Sequence, residues 1–348
     1  MNQSQIIVGL VSFGMSGQIF HAPFIERNLN FNLKLILERS KSISKERYPN
    51  ARIVRNFDDL LNDKQVELIV VNPPTYLHFE MAKSALLAGK HIVVEKPITA
   101  TSQESKELIR IAQKQNLLIA VYHNKRFEGG FKTVKKLLSE NQLGELANCK
   151  IALHRFRPEI GPKVWKEEDF PGAGLLYDLG SHLIDQCLDL FGWPLDVDAD
   201  LQIQRKYGKV IDYFCITMKY EKFNAILVSD MLTKVNKPSF SLTGTKASFV
   251  KYGKDPQEGR LSKGNVNWAK LGQDLEENYG TLTTNDTRNI KRIRTQNGTY
   301  DQFYQNVFEA LRMNIPLLIT PEQALDVIKI IEWVQKSTVT INTTNFNN

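Results

Sequence analysis

The feature that most constrains this chain is a regular alternation of short apolar runs with amphipathic segments over its first 125 or so residues. Helix-length patterns such as Phe79–Ala88 and Gln103–Lys114 separate the runs. The runs are Ile6–Val11, Leu33–Leu37, Val66–Val71, His91–Val94 and Leu117–Val121. Strands joined through helices form a parallel sheet, and its strands are apolar throughout because both faces are covered. We therefore predict a doubly wound α/β domain over residues 1–123.

The pattern changes after about residue 145. Four strand-like runs follow one another there without intervening helices: Val210–Met218, Ala225–Leu232, Ser239–Thr243 and Ala247–Lys251. Consecutive strands joined by turns favour an antiparallel sheet. We predict a second, α+β domain over residues 124–348 with a large open, mainly antiparallel sheet. The fold class of the whole chain is then α/β plus α+β.

Helices and loops are expected around this second sheet. One helix covers about Leu176–Phe191, whereas Asp255–Asn297 is rich in glycine, asparagine and charge and is expected to form long loops. The closing helix runs from about Pro321 to Lys336 and is a candidate to pack back on the first domain. Thr320 is its predicted N-cap, and Gln323 completes a capping-box spacing.

Charge and composition argue against several classes of protein. The net charge is +7, but the basic residues are interleaved with acids and accompany no nucleic-acid-binding motif, so we expect no nucleic-acid partner. No apolar run approaches the ~18 residues that cross a bilayer, and the opening residues lack a basic segment, so we expect neither a membrane anchor nor a signal peptide. Cys149, Cys187 and Cys215 lie far apart, without metal-ligand spacing. These features predict a reduced, cytoplasmic protein without a metal.

A glycine-containing turn follows the first predicted strand and reads Gly9-Leu-Val-Ser12-Phe-Gly14-Met-Ser-Gly17. A dinucleotide-binding turn needs one glycine where backbone N–H groups approach the pyrophosphate and another where helix and strand pack closely. Gly14 and Gly17 fill these positions, whereas Ser12 stands where a first glycine is usual. We predict a Rossmann-type dinucleotide-binding domain. The residues expected to contact the cofactor here are Ser12, Phe13, Gly14, Met15 and Ser16.

The end of the second predicted strand should distinguish NADP from NAD. An acidic residue there binds the ribose 2′-hydroxyl, whereas an arginine with a hydroxyl pairs with a 2′-phosphate. The stretch reads Leu37-Glu38-Arg39-Ser40-Lys41. Arg39 and Ser40 at the discriminating position predict NADP. A shift of one residue would place Glu38 there and favour NAD, which stays the alternative cofactor.

Glu95-Lys96-Pro97 follows the fourth long apolar strand, at the carboxyl edge where open α/β sheets bind ligands. A lysine beside a positively charged nicotinamide ring should have a lowered pKa, and it could donate to a substrate hydroxyl or share its proton. The tripeptide by itself is equally compatible with a surface lysine in a turn.

A second candidate for chemistry is the stretch from Gly174 to Asp185. Asp178 and His182 are four residues apart, so on a helix they share one face. Oxidising an alcohol requires loss of its hydroxyl proton, which a histidine accepts near neutral pH, and a carboxylate one turn away can orient the imidazole. An ordinary ion pair on a helix surface is the alternative.

Four stretches together resemble the glucose-fructose oxidoreductase / inositol dehydrogenase family (Gfo/Idh/MocA). They are SFGMSGQIFHAPFI, VNPPTYLHFEMAKSALLAGKHIVVEKPIT, VYHNKRF and GAGLLYDLGSHLIDQCLDLFG, and they cover nearly the whole chain in order. FHAPFI, YHNKRF and YDLGSHLIDQ particularly resemble the subgroup that contains NADP-dependent scyllo-inositol 2-dehydrogenases. Ser12 departs from the family's usual glycine turn.

The resemblance implies a catalytic set of Lys96, Asp178 and His182, with Pro97 following a cis peptide bond. It implies reversible oxidation of a secondary alcohol on a cyclitol or sugar, and a homodimer or homotetramer formed through the second domain's sheet. A dehydrogenase or reductase of the same family that acts on an aldose or a related sugar derivative is one alternative. Another is a non-catalytic dinucleotide-sensing regulator, which would be expected to lose the lysine or the Asp/His pair.

Further candidates are weaker. His78 after Asn72-Pro73 matches a family position near the nicotinamide, although a structural role at the strand end is equally compatible. Packing or surface roles are expected for His21, His91 and His154. The other cofactor candidates are Asn72, Pro73, Glu95 and His123. The residues that could contact substrate are Asn124, Arg157, Trp165 and Tyr177.

Overall fold

The chain divides into two units in the computed structural model, which describes residues 4–264, 266–284, 289–337 and 342–343. The first unit contains Met1–Asn124, Arg260–Asn265 and Tyr300–Asp326. The second contains Lys125–Gly259, Val266–Thr299 and Val327–Asn348. The single boundary expected near residue 123 therefore omits two later segments that return to the first unit.

A six-stranded, wholly parallel sheet forms the core of the first unit. The strand order is β3-β2-β1-β4-β5-β6, so the direction of strand addition reverses between β1 and β4. Five of the six strands match predicted runs; β3 was missed because it has three residues and begins with an exposed arginine. The strands are β1 Ile6–Leu10, β2 Phe31–Leu37, β3 Arg52–Val54, β4 Leu68–Val71, β5 His91–Glu95 and β6 Ile119–Tyr122.

Helices cover this sheet, and one of them comes from late in the chain. The early helices are α1 Ala22–Arg27, α2 Ser44–Arg47, α3 Asp58–Leu61, α4 His78–Leu87 and α5 Ser102–Gln115. The late helix is α10, Asp301–Met313, which the sequence analysis did not predict. Its Tyr304 ring packs edge-on against Phe31 at 5.7 Å between centroids, and Phe303 packs against Tyr122 at 4.7 Å. These aromatic contacts explain why residues after Tyr300 belong to the first unit.

The closing helix, α11, runs over Pro321–Ser337, close to its predicted span. Thr320 Oγ1 accepts a hydrogen bond from the Gln323 amide, and Gln323 Oε1 accepts one from the Thr320 amide, both at 3.2 Å. The predicted capping box is confirmed. Residues up to Asp326 belong to the first unit, and those from Val327 to the second.

A nine-stranded sheet dominates the second unit, with the order β14-β13-β12-β11-β7-β10-β9-β8-β15. It is mainly antiparallel, as predicted, but β7 pairs with β10 and β8 with β15 in parallel. The strands are β7 Leu146–His154, β8 Asp196–Ile203, β9 Tyr213–Lys219, β10 Asn224–Asp230, β11 Phe240–Gly244, β12 Ala247–Lys251, β13 Gly280–Thr284, β14 Ile290–Ile293 and β15 Asn342–Thr343.

Part of this unit contradicts the sequence analysis. Asp255–Asn297 was expected to form long loops, but it contains β13, β14 and a helix, α9, Pro256–Ser262, whose residues from Arg260 belong to the first unit. β14 is charged because it is an exposed edge strand, where a polar composition is usual. β8 was missed because three aspartates interrupt its apolar pattern. The unit's other helices are α6 Gly129–Ser139, α7 Val164–Glu167 and α8 Ser181–Phe191.

Membrane-spanning helices and clusters of metal-ligating side chains are both absent from the described residues. No helix is both long and apolar enough to cross a membrane in the parts of the chain that the structure describes. Within the same ranges, no group of three or more histidine, cysteine or acidic side chains is arranged to hold a metal ion.

A buried arginine fixes helix α8 in the second unit. Arg126 contacts both oxygens of Asp185, with Nε 2.9 Å from Oδ2 and Nη2 2.7 Å from Oδ1, and its Nη1 lies 3.1 Å from Asp189 Oδ1. The side chains of Arg126 and Asp185 are 7% and 1% exposed. Burial lowers the pKa of Arg126, but the adjacent Asp185 and Asp189 outweigh it and raise the pKa overall. Each buried charge is therefore compensated.

We expect Arg126→Met to destabilise the second unit by about 3–5 kcal/mol, because Asp185 would stay buried without its cation. Lys135→Ala is the matched control: Lys135 also pairs with Asp189, but its side chain is 57% exposed, so the loss should stay below about 1 kcal/mol. Urea unfolding measures both free energies. Equal stability of the two variants would contradict the assignment.

Candidate active site

The turn after β1 is held by Asn72, the residue that follows β4. The Ser12 amide donates to Asn72 Oδ1 at 2.9 Å, and Asn72 Nδ2 donates to the Ser12 carbonyl at 2.8 Å. Asn72 Nδ2 also lies 3.1 Å from Ser16 Oγ. The serine that departs from the usual glycine has its own function in the turn, because Ser12 Oγ accepts from the Gly14 amide at 3.3 Å. Asn72, a predicted cofactor residue, thus shapes the turn itself.

The geometry of this turn fits a dinucleotide pyrophosphate. The first helical hydrogen bond runs from the Gln18 amide to the Gly14 carbonyl at 3.0 Å, so the preceding amides of Met15, Ser16 and Gly17 belong to the open first turn. Such amides bind anions. Met15 is exposed, whereas the Phe13 ring is buried against Tyr48, so Phe13 can offer only its backbone to a cofactor.

Gly17 is required for a different physical reason from the predicted one, which was close packing of helix and strand. A Cβ on Gly17 would lie 2.2 Å from the Ser12 carbonyl oxygen, so Gly17 permits the turn's own backbone to close. The glycine that permits close packing between strand and helix is Gly9, because a Cβ added there would lie 2.7 Å from Leu60 Cδ2 on α3.

The loop after β2 turns Glu38 inward and leaves Arg39 and Ser40 exposed. Glu38 is 6% exposed, and its carboxylate accepts from the Ile43 amide at 3.0 Å, the Ser44 amide at 2.9 Å and the Ser44 hydroxyl. All these donors lie at the start of α2. Glu38 is therefore occupied as a structural acceptor for the loop.

Arg55, which directly follows β3 and was not among the predicted site residues, holds the same loop. Its Nη1 donates to the carbonyls of Glu38, at 2.5 Å, and Lys41, and its Nη2 donates to Ser42 Oγ at 2.8 Å. No local pattern marks this residue, since its acceptors are 13 to 17 positions away.

The Glu95-Lys96-Pro97 segment lies at the carboxyl end of β5, and its Lys96–Pro97 peptide is cis, as expected. His78 lies between this segment and the end of β4: its Nδ1 is 2.8 Å from the Pro97 carbonyl, and its Nε2 is 2.9 Å from the Pro73 carbonyl. Burial lowers the pKa of His78 despite these two hydrogen bonds, which oppose the shift. The ring thus joins two predicted cofactor-binding segments.

Further candidate residues of the first unit lie at or near the same carboxyl edge of the parallel sheet. His123 and Asn124 come directly after β6 and are buried. His21 was expected to have a packing or surface role, but it is fully buried and contacts Glu95 Oε1 through Nε2 at 3.0 Å. Its other partner, Tyr304, is 283 positions away, so no local signal could have identified this contact.

In the second unit, Asp178 lies in a π-helical turn, Leu176–Gly180, immediately before α8. The expectation of a regular helix is incorrect here, and because a π-turn holds an extra residue, α-helical spacing does not carry over unchanged. Asp178 Oδ1 is 2.8 Å from Lys166 Nζ, and Oδ2 is 3.2 Å from Arg155 Nη1. His182 is buried in the first turn of α8.

Cations are concentrated around Asp178. Lys163 has a lowered pKa, first because of burial and then because of the nearby charge of Lys166 and Arg157, while Asp178 opposes the shift. Arg157, a predicted substrate residue, is exposed here. Lys166 Nζ lies 5.1 Å from the ring centre of Trp165, and Tyr177 Oη donates to Gln335 Oε1 at 3.2 Å. Apart from Asn124, every substrate candidate therefore lies in the second unit, on or beside this cationic region.

The first unit has the construction of a nicotinamide dinucleotide-binding oxidoreductase, and two family models agree with that class. Residues 6–123 match the model described as the oxidoreductase family, NAD-binding Rossmann fold, and residues 135–341 match its C-terminal alpha/beta domain. The chain belongs to the Gfo/Idh/MocA oxidoreductase family.

Individual relatives cover nearly the whole chain. The scyllo-inositol 2-dehydrogenase (NADP(+)) IolW of Bacillus subtilis is 37% identical over 339 residues, covering 95% of this chain and 93% of the relative. A solved structure of the oxidoreductase yvaA from Bacillus subtilis has a TM-score of 0.90 at 36% identity, covering 96% of this chain and 97% of that one. A crystal structure assigned only as an oxidoreductase, from Bacteroides fragilis, has a TM-score of 0.87 at 42% identity, with the same two coverages.

We expect Gly17→Ala to destabilise the cofactor-free protein by about 1–3 kcal/mol, because the new methyl group would overlap the Ser12 carbonyl. Gly14→Ala is the matched control, since its Cβ would meet only Ser12 Oγ at 3.4 Å and should cost no more than about 0.5 kcal/mol. Denaturant unfolding without cofactor checks both. A Gly17→Ala protein as stable as Gly14→Ala would show that the turn is not closed as described.

Proposed function

We propose that this chain is an NADP-dependent dehydrogenase that interconverts a secondary alcohol and a ketone on a cyclitol, with scyllo-inositol as the first candidate substrate. One observation carries the proposal: Lys96, Asp178 and His182 are all present in a chain that is 37% identical to an NADP-dependent scyllo-inositol 2-dehydrogenase over nearly its full length. A regulator that only senses dinucleotide would have no need of all three.

The preference for NADP is supported by the loop after β2. An acidic side chain selects NAD by accepting from the ribose 2′-hydroxyl. Glu38 already accepts from two amides and a hydroxyl of its own loop, so it has little remaining capacity for the ribose. Arg39 and Ser40 are exposed beside it and can bind a 2′-phosphate.

The proposed chemistry gives a separate role to each of the three residues. The nicotinamide ring, when bound, supplies a hydride acceptor. Lys96 donates a hydrogen bond to the reacting oxygen of the substrate, and a ring nitrogen of His182 accepts the hydroxyl proton. Asp178 balances the positive charge that develops on His182, while Lys166 and Arg155 hold its carboxylate in place. Cationic donors around Asp178 suit a substrate with many hydroxyl oxygens.

The direct test is a panel of polyols and sugars assayed with NADP and with NAD. The proposal expects the highest kcat/KM for a cyclitol with NADP, and NADPH consumption with the corresponding keto-inositol. Higher kcat/KM for an aldose would replace the substrate assignment. NADPH binding without turnover of any member of the panel would favour the alternative of a non-catalytic, dinucleotide-sensing regulator.

Lys96→Ala and His182→Ala should each lower kcat by on the order of 10²–10⁴-fold, because each removes a proton donor or acceptor for the reacting hydroxyl. NADPH should still bind to both variants, as measured by fluorescence titration. Turnover close to that of the wild type in both variants would remove these residues from the mechanism.

Arg39→Ala should weaken NADPH binding by about 10- to 100-fold and leave NADH binding almost unchanged, because only NADPH carries the 2′-phosphate. Arg52→Ala is the control for net charge: Arg52 lies on β3 with its guanidinium 3.7 Å from Asp63. Dissociation constants for both nucleotides test the idea, and an equal loss for NADH would refute it.

A further inference from the structure

A series of buried polar groups in the first unit ends at the backbone of Lys96. Tyr304 Oη is 2.7 Å from His21 Nδ1, and His21 Nε2 is 3.0 Å from Glu95 Oε1. The Lys96 amide donates to the other carboxylate oxygen of Glu95 at 3.1 Å. His21 and Tyr304 are completely buried, and the Glu95 side chain is 12% exposed. The proposed reaction uses none of these side chains directly.

The hydrogen positions in this series follow from its chemistry. An ionised carboxylate can only accept hydrogen bonds, so His21 Nε2 carries the hydrogen that Glu95 receives. The other ring nitrogen, Nδ1, shares a hydrogen bond with the Tyr304 hydroxyl at 2.7 Å. Glu95 therefore receives hydrogen bonds on both oxygens, from His21 Nε2 and from the Lys96 amide.

These contacts keep a buried carboxylate charged. Burial by itself raises the pKa of Glu95, but the hydrogen bond and charge of His21, followed by Lys96 and His78, outweigh it and lower the pKa overall. The pKa values of Tyr122 and Tyr304 are raised, mainly by burial; the negative charge of Glu95 is the next cause for Tyr122, whereas Tyr122 and then Glu95 follow burial for Tyr304. Lys96 thus follows directly after a persistent negative charge, which favours a protonated ammonium group.

We propose that Tyr304, His21 and Glu95 act as positioning residues for Lys96, which they hold in place and keep in its protonated, hydrogen-bond-donating form. The proposal rests on the role given to Lys96 under the proposed function. It also connects three distant parts of the first unit, because His21 ends the helical turn Gly17–His21 after the glycine loop, Glu95 ends β5 and Tyr304 lies in α10.

The chain offers a matched set of variants. Glu95→Gln keeps the shape of the side chain and removes its charge, and Tyr304→Phe removes one hydroxyl from the series. Tyr122→Phe is the control: Tyr122 is also fully buried, and its ring centre is 4.7 Å from that of His21. Its hydroxyl makes no hydrogen bond with any described residue, so the same chemical change falls outside the series.

The first measurement is the pH dependence of kcat with the best substrate of the panel. Loss of the negative charge lowers the pKa of Lys96, so the alkaline limb of the Glu95→Gln profile should move down by about one pH unit, with kcat roughly tenfold lower at pH values above the wild-type limb. Tyr304→Phe should shift the limb in the same direction by less, and Tyr122→Phe should match the wild type. NADPH dissociation constants should not change in Tyr304→Phe or Tyr122→Phe, which separates positioning from general structural damage.

A second measurement does not depend on turnover. Lysines are reductively methylated with ¹³C-formaldehyde, the Lys96 signal is assigned by its loss in Lys96→Arg, and its pKa is titrated by NMR. A lower Lys96 pKa in Glu95→Gln and Tyr304→Phe, but not in Tyr122→Phe, supports the proposal. The same result without turnover of any polyol would support the positioning role and contradict only the proposed function. An unchanged Lys96 pKa in folded Tyr304→Phe and Glu95→Gln, or an equal shift in Tyr122→Phe, overturns it. If Glu95→Gln does not fold, the Lys96 pKa measured in Tyr304→Phe decides whether the proposal stands.

Discussion

Parallel pairing of β1, β4 and β5 is the constraint on which the cofactor end of this protein depends. Leu10 pairs with Val70, and Val71 pairs with Val94, so the three strands end at the same edge of the sheet. The residues that follow these strands are consequently neighbours, although about 60 positions separate the glycine turn from Asn72. The hydrogen bonds between Asn72 and Ser12 depend on this alignment, and so does the position of His78 between the segments after β4 and β5.

Buried carboxylates with satisfied hydrogen bonds then fix three segments that carry candidate site residues. Glu38 holds the loop that exposes Arg39, Glu95 lies directly before Lys96, and Asp185 holds the helix that carries His182. A buried charge is tolerated only when donors surround it, so each carboxylate permits few arrangements of its segment. Side chains that need not be chemically reactive thereby set the geometry of the residues proposed to bind cofactor or transfer protons.

Sequence patterns predicted the first sheet well because its strands are buried on both faces and read as continuous apolar runs. They failed for β8 and β14, whose exposed faces and edges carry aspartate, lysine and arginine, and for α10, which follows a segment with no clear period. At the site, the motif around Gly14 and Gly17 was readable because a tight turn leaves few choices of residue. The contacts of Arg55 and His21 could not be predicted from local patterns, since their partners are distant in sequence.

The sequence by itself determined the alternation of strands and helices, the glycine turn, and which side chains are chemically able to transfer a proton, since these depend on residue type and local spacing. The tertiary structure alone decided that Glu38 faces inward while Arg39 faces outward, that Asp178 lies in a π-turn between Lys166 and Arg155, and that His21 contacts Glu95. The physical reason is that hydrogen bonds and ion pairs are selected by distance in space, and the partners lie on elements brought together only by packing.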